Sequence, residues 1–193
     1  MARQLHPVER LDLDLAKASA LPEGSDAQRI AKGIAGVGDQ PPLILACGVT
    51  IAVGTLARDE RLARTGLRML AAHAFSIMGK LMVKGVVDRT RPDEALKRGR
   101  YKLEEGGSES GELRSMPSGH SAGTVAVAMA AAVDYPAARP ALATGAATIV
   151  GAQLPSRNHF LSDTVAGSMI GLGAAALAAW LIPAERKVRP ARP

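Results

Sequence analysis

Five apolar segments constrain most strongly what this chain of 193 residues can fold into. They cover residues 40–57, 69–87, 116–133, 140–156 and 164–184, and lysines interrupt only the second of them. Hydrophobic residues make up 47% of the chain and aromatic residues only 3%, so the apolar content is mainly small and aliphatic. Small residues let helix backbones approach closely in lipid, where about 20 apolar residues span the bilayer. We therefore expect an all-α, polytopic transmembrane helix bundle with about five spans.

The polar ends of the chain suggest two flanking segments around this bundle. Residues 1–39 carry mixed charges, and Ile30, Ile34 and Val37 recur at helical spacing. This pattern predicts an N-terminal amphipathic helix on the membrane surface. Residues 40–184 then form the transmembrane domain, and residues 185–193 form a basic tail.

The positive charge of the chain predicts its orientation. The net charge is +6, and the basic residues concentrate in residues 58–68 and in the tail. If the spans alternate, both clusters lie on one side, which the positive-inside rule makes cytoplasmic. Residues 88–115 and 153–163 then face the extracytoplasmic side, and we expect an integral, multi-pass protein of a bacterial inner membrane. Nucleic acid is not an expected partner, because no arginine-aromatic stacking surface is present.

Three motifs on the extracytoplasmic side carry residues suited to phosphate chemistry. Lys84 and Arg91 are seven residues apart and followed by Pro92, which places two cations on one face of a continuing helix. Pro117 and Ser118 precede Gly119 and His120, so a helix start there offers backbone N–H groups to an anion. His159 and Asp163 are four residues apart, which lets a carboxylate stabilise an imidazole that gains positive charge.

The order of these motifs resembles the type-2 phosphatidic acid phosphatase family, whose relatives include bacterial acid phosphatases and vanadium haloperoxidases. The resemblance runs from Lys84 to Asp163. It implies a metal-independent phosphatase without cofactors, acting on a lipid phosphate monoester or diphosphate in the bilayer. His159 would be the nucleophile that forms a phosphohistidine, Asp163 would orient it, and His120 would be the acid and base. The phosphate-binding residues implied are Lys84, Arg91, Ser118 and the N–H of Gly119.

The third motif departs from the family pattern, in which an arginine stands six residues before the nucleophile. Gln153 occupies that position here, and Arg157 lies two residues before His159. We hypothesise that Arg157 supplies the missing phosphate contact. Two alternatives stay open: a vanadate-dependent haloperoxidase, and a catalytically weak or inactive member that binds phosphate head groups. The sequence leaves the lipid substrate and the oligomeric state undetermined.

Overall fold

The fold is mostly helical, as predicted. The structure, a computed structural model, describes residues 5–184, so the predicted basic tail lies outside the described residues. The α-helices in this range are α1 (Pro7–Ser19), α2 (Asp26–Gly36), α3 (Gln40–Leu56), α4 (Glu60–Lys84), α5 (Pro92–Arg98), α6 (Gly119–Asp134), α7 (Arg139–Gly151) and α8 (Leu161–Leu181). Strands β1 (Val87–Arg89) and β2 (Leu103–Glu105) pair in antiparallel register, and short 3₁₀ helices cover Gly111–Leu113 and Pro136–Ala138.

Each of the five apolar segments contains most of one helix, namely α3, α4, α6, α7 and α8 in turn. The second apolar segment was predicted to begin at residue 69, whereas α4 begins at Glu60. Residues 60–67, expected in a basic loop, form the first turns of α4, because the carboxylate of Asp59 caps the helix by accepting a hydrogen bond from the Leu62 N–H at 3.0 Å.

The number of membrane spans stays unconfirmed. Within residues 5–184, only α8 is long and apolar enough to cross a bilayer alone, while α2 and α3 pass together as a pair bent by 48°. Helices α6 and α7 have 16 and 13 residues. At 1.5 Å per residue they are roughly 24 and 20 Å long, shorter than a hydrocarbon core of about 30 Å. Helix α4 has 25 residues but carries several charges along its length.

Small residues at the centre of the bundle bring α6 and α8 into close contact. A Cβ added at Gly167 would lie 2.3 Å from the Ser118 carbonyl oxygen, and one added at Gly171 would lie 2.5 Å from that of Ala122. Ala126, Ala130 and Ala178 are completely buried nearby. This backbone contact fixes the N-terminal ends of α6 and α8 side by side.

The N-terminal segment differs from the prediction of one amphipathic helix. It forms two helices, of which α2 leads through a short break into α3 and α1 packs against α5 and the start of α8. Ile30 and Val37 are exposed, as an amphipathic face requires, but Glu9 and Asp12 of α1 are buried. Helix α1 therefore docks through its polar side.

Candidate active site

A cavity of about 510 Å³ opens where α3 and α6 begin and α4 ends. Its basic and imidazole side chains are Lys80, Lys84, Arg91, His120 and His159. Gly119, the last two residues of the break before α3 and the first turn of α3 (together residues 38–42) complete the described wall. Because α3 and α6 begin at this cavity and α4 ends there, the cavity lies at one end of the bundle. The arginine-rich start of α4 lies at the other end.

The loop that ends at Ser115 holds the nucleophile candidate in place. The Nδ1 of His159 lies 2.8 Å from the carbonyl oxygen of Ser115. Asp163 Oδ2 is 3.8 Å from the same nitrogen, beyond direct hydrogen-bond distance. The hydroxyl of Ser115 donates to Asp163 at 2.6 Å. The expected orienting hydrogen bond is therefore made by a backbone carbonyl, and Asp163 supports it through Ser115 and through its charge.

A buried arginine connects Asp163 to the N-terminal helix. Arg89 is 1% exposed, donates to Asp163 Oδ1 at 2.6 Å and donates to Asp12 Oδ2 at 2.7 Å. Asp12 also accepts from the backbone N–H of Ser162 at 3.0 Å. One guanidinium thus bridges two carboxylates, which gives each of these buried charges a partner.

The two site histidines form a chain of polar contacts that runs from the Ser115 carbonyl to the Asp39 carboxylate. The Ser115 carbonyl only accepts, so His159 Nδ1 carries a proton and its Nε2 is the unprotonated nitrogen of a neutral imidazole. His120 Nδ1 lies 3.3 Å from that Nε2 and can donate to it when it carries a proton. The Nε2 of His120 lies 2.8 Å from the carboxylate of Asp39, which also only accepts. When His120 is doubly protonated, its two N–H groups donate to His159 and to Asp39, and the Asp39 carboxylate stabilises that charged form.

The cations of the cavity are anchored by the loop that precedes α6. Lys84 donates to the carbonyl oxygen of Arg114, and Arg91 Nε donates to that of Gly111 at 2.9 Å. Burial lowers the pKa of the Arg91 guanidinium, and Asp163 opposes this shift. An arginine pKa starts so high that the group stays charged. The cavity therefore presents fixed positive charge beside an unprotonated imidazole nitrogen, which suits attack on a phosphoryl group.

The PAP2 superfamily model matches residues 65–187, which is more than half of the chain. The chain belongs to the PAP2 superfamily. No curated protein matches it. Among solved structures, the chain is similar to one titled as the crystal structure of the first transmembrane PAP2-type phosphatidylglycerolphosphate phosphatase from Bacillus subtilis. The identity is 20%, the match covers 98% of this chain and 91% of that one, and the TM-score is 0.69. At this identity, the likeness shows a shared fold.

Two residues predicted to bind phosphate in this PAP2 site lie elsewhere. The hydroxyl of Ser118 is completely buried and caps α6 by accepting from the Ser121 N–H at 3.2 Å. Arg157 Nη2 donates to the Leu21 carbonyl oxygen at 2.6 Å, and its Nη1 lies 3.7 Å from Asp93. The hypothesis that Arg157 replaces the missing contact thus conflicts with its position, because its guanidinium is held by Leu21 and Asp93 and does not line the cavity.

Three polar residues of this PAP2 site were not predicted from the sequence. Lys80 lines the cavity, and its spacing of four residues from Lys84 was an available signal. Asp39 stands immediately before the Pro41-Pro42 pair, where its type suggested only a turn or helix cap. Arg89 lies within the first motif, but no local pattern indicates its partner Asp12, 77 residues away. Among the described residues, no group of three or more metal-ligating side chains comes together.

Proposed function

We propose that this protein is a membrane phosphatase that hydrolyses a lipid phosphate monoester or diphosphate through a phosphohistidine intermediate. One observation carries the proposal: the unprotonated Nε2 of His159 lies at the wall of a cavity that also holds Lys84 and Arg91, and it is 3.3 Å from His120. A nucleophile, an acid and fixed cations are the parts that phosphoryl transfer through an imidazole requires.

In the first half-reaction, the phosphoryl group enters between the two imidazoles and replaces their 3.3 Å contact. The Nε2 lone pair of His159 then attacks phosphorus, and the bond from phosphorus to the leaving oxygen breaks. His120 gives its proton to that oxygen, so the lipid leaves as a neutral alcohol, or as a phosphate monoester when the substrate is a diphosphate. In the second half-reaction, His120 takes a proton from water, the oxygen of that water attacks phosphorus, and the P–N bond breaks. Inorganic phosphate leaves, and both histidines return to their starting states.

The charges around the cavity support each step. Lys84, Arg91 and the Gly119 N–H at the start of α6 are placed to stabilise the phosphoryl oxygens as negative charge builds on them. Asp39 stabilises His120 in its acid form before the first step. Asp163, held by Arg89, stabilises the positive charge that His159 gains on attack. We propose that these groups make a metal ion unnecessary.

The proposed location is an integral, multi-pass position in a bacterial inner membrane, with the cavity on the extracytoplasmic side. The exposed apolar side chains of α3 and α8 support contact with lipid; they include Leu45, Val49 and Leu56 on α3 and Met169, Leu172 and Trp180 on α8. The basic residues at the opposite end of α4 support the orientation.

The test is phosphate release by the purified, detergent-solubilised protein from phosphatidic acid, phosphatidylglycerophosphate and a polyprenyl diphosphate. We expect activity on at least one of them, retained in EDTA.

His159→Ala and His120→Ala should each reduce kcat by about 10³-fold or more, because each removes a group that acts on the reacting atoms. Lys32→Ala is the control, since Lys32 is exposed on α2 and outside the cavity. Near-normal turnover by His159→Ala would contradict the nucleophile assignment, and inhibition by EDTA that added metal reverses would contradict metal independence.

A phosphate-binding protein with little turnover is the second candidate, and Gln153 favours it. This residue stands where the family pattern has an arginine, and its side chain is completely buried. Head-group binding without phosphate release from any of the three lipids would support this alternative.

A further inference from the structure

The cavity contains a cation that none of the three motifs includes. Lys80 lies one helical turn before Lys84 on α4, and both side chains line the cavity. A Cβ added at Gly119 would lie 3.2 Å from Lys80 Nζ, so the ammonium group sits beside the start of α6. Lys80 therefore faces the same space as the N–H groups that begin this helix.

The ammonium of Lys80 is not neutralised by an acidic side chain. Within residues 5–184, the structure places no carboxylate within 4.0 Å of it, although on the surface Lys97 has two and Lys102 has one. The carboxylate of the cavity wall belongs to Asp39, and it is paired with His120. A half-buried, unpaired ammonium raises the affinity of a cavity for an anion.

Gln153 stands where the family pattern has an arginine, and its amide is hydrogen-bonded to groups outside the cavity. Gln153 donates from Nε2 to the carbonyl oxygen of Ala35 at 3.2 Å, and its Oε1 accepts from Asn158 Nδ2 at 3.2 Å. Gln153 is completely buried in these contacts and does not line the cavity. The cavity therefore lacks one cation at this position and has one additional cation at Lys80.

We propose that Lys80 is a phosphate-binding residue that takes the place of the charge absent at Gln153. This inference rests on the proposed function. Lys80 contacts oxygens of the bound phosphate near His120 and the start of α6. Lys84 and Arg91 bind the phosphate beside the loop that precedes α6, which anchors both of them. The ligand chemistry is a phosphoryl group, either the one transferred to His159 or the second phosphate of a diphosphate substrate.

The test compares Lys80→Met, which keeps the length of the side chain, with Lys80→Arg, which keeps the charge. Lys32→Met is the matched control on the exposed face of α2. Two quantities are measured on each full-length protein in detergent: kcat/KM for phosphate release, and the affinity for orthovanadate, a phosphate analogue, by calorimetric titration. Thermal melting confirms that each variant is folded. We expect Lys80→Met to lose at least about tenfold in both quantities, and Lys80→Arg to retain most of each.

The outcomes separate this inference from the proposed function. If the parent protein releases phosphate and Lys80→Met matches Lys32→Met in both measurements, the role of Lys80 is wrong while the phosphatase assignment stands. If the parent releases no phosphate but binds orthovanadate in a manner that depends on Lys80, the phosphatase assignment fails and the role of Lys80 stands. A loss with phosphatidic acid and a polyprenyl diphosphate alike places Lys80 on the transferred phosphoryl group, and a loss with the diphosphate alone places it on the leaving phosphate.

Discussion

His159 is almost completely buried, with 2% of its surface exposed, and this determines its protonation. Burial lowers the pKa of its imidazole from 6.5 to about 4, and Asp163 opposes part of the shift. The unfolded chain therefore binds more protons than the folded chain between these two values. The contribution of neutral His159 to the free energy of unfolding is complete above pH 6.5 and is lost as the pH falls towards 4. The same burial keeps the proposed nucleophile unprotonated in mildly acidic solution.

We predict that His159 remains neutral down to a pH of about 4 in the substrate-free protein. The measurement is an NMR titration of ¹⁵N-histidine-labelled protein in detergent. The His159 signals are assigned by their absence in His159→Asn. Because no substrate is present, the ionisation of a phosphate substrate, which occurs near pH 6, does not disturb the titration. A midpoint at an ordinary histidine value, near 6.5, would contradict the prediction.

At the scale of the elements, α1 is part of the catalytic structure although it precedes the family match. Asp12 of α1 is 2% exposed and binds both Arg89 after α4 and Ser162 at the start of α8. Through Arg89, the charge of Asp12 helps to fix Asp163 and therefore the environment of His159. Helix α1 lies outside the residues from which the amphipathic helix was predicted, and it supports the proposed nucleophile through Arg89 and Asp163.

We predict that Asp12→Asn lowers kcat by about tenfold with little change in KM, and also lowers the melting temperature. The amide removes one charge from a buried ion pair, and breaking such a pair costs several kcal/mol, about 3–5. Asp14→Asn is the matched control, because Asp14 lies on the exposed face of the same helix. Steady-state kinetics and thermal melting check both variants. Equal behaviour of the two would show that α1 does not influence the site.

At the scale of the whole molecule, the sequence predicted the helices better than the contacts between them. The five apolar segments were found because each has a continuous composition that does not depend on distant residues. The motifs likewise predicted His120, His159, Lys84 and Arg91 at one site, and the cavity brings these four together. The number of spans could not be confirmed, because the lengths of α6 and α7 depend on where their ends pack.

The errors concern residues whose roles depend on tertiary contacts. Arg157 was assigned to phosphate by its proximity to His159 in sequence, yet its guanidinium donates to the carbonyl oxygen of Leu21. Ser118 was assigned as a donor to phosphate, but the start of α6 uses its hydroxyl as a helix cap. Asp12 and Asp39 could not be assigned at all, because their partners are distant in sequence.

We predict that the cavity faces the extracytoplasmic side, since the arginine-rich start of α4 lies at the other end of the bundle. A cysteine replacing Glu109, exposed near the cavity end, should react with a membrane-impermeant thiol reagent in intact cells. A cysteine replacing Ala137, exposed in the turn between α6 and α7, should react only after permeabilisation. The native Cys47 is completely buried and gives a low background. The reverse labelling pattern would overturn the orientation.

The hydrogen bond from Ser162 to Asp12 joins residues 150 positions apart in the sequence. It closes the chain into a loop that contains nearly the whole bundle, and such distant contacts form late because the intervening chain must first be ordered. During synthesis, α1 is made first but has no partner for Asp12 until Arg89 and then the start of α8 have been added. The same stretch of chain that completes this contact also brings His159 and Asp163. Docking of α1 onto Ser162 and completion of the proposed active site therefore depend on the same late stretch of the chain.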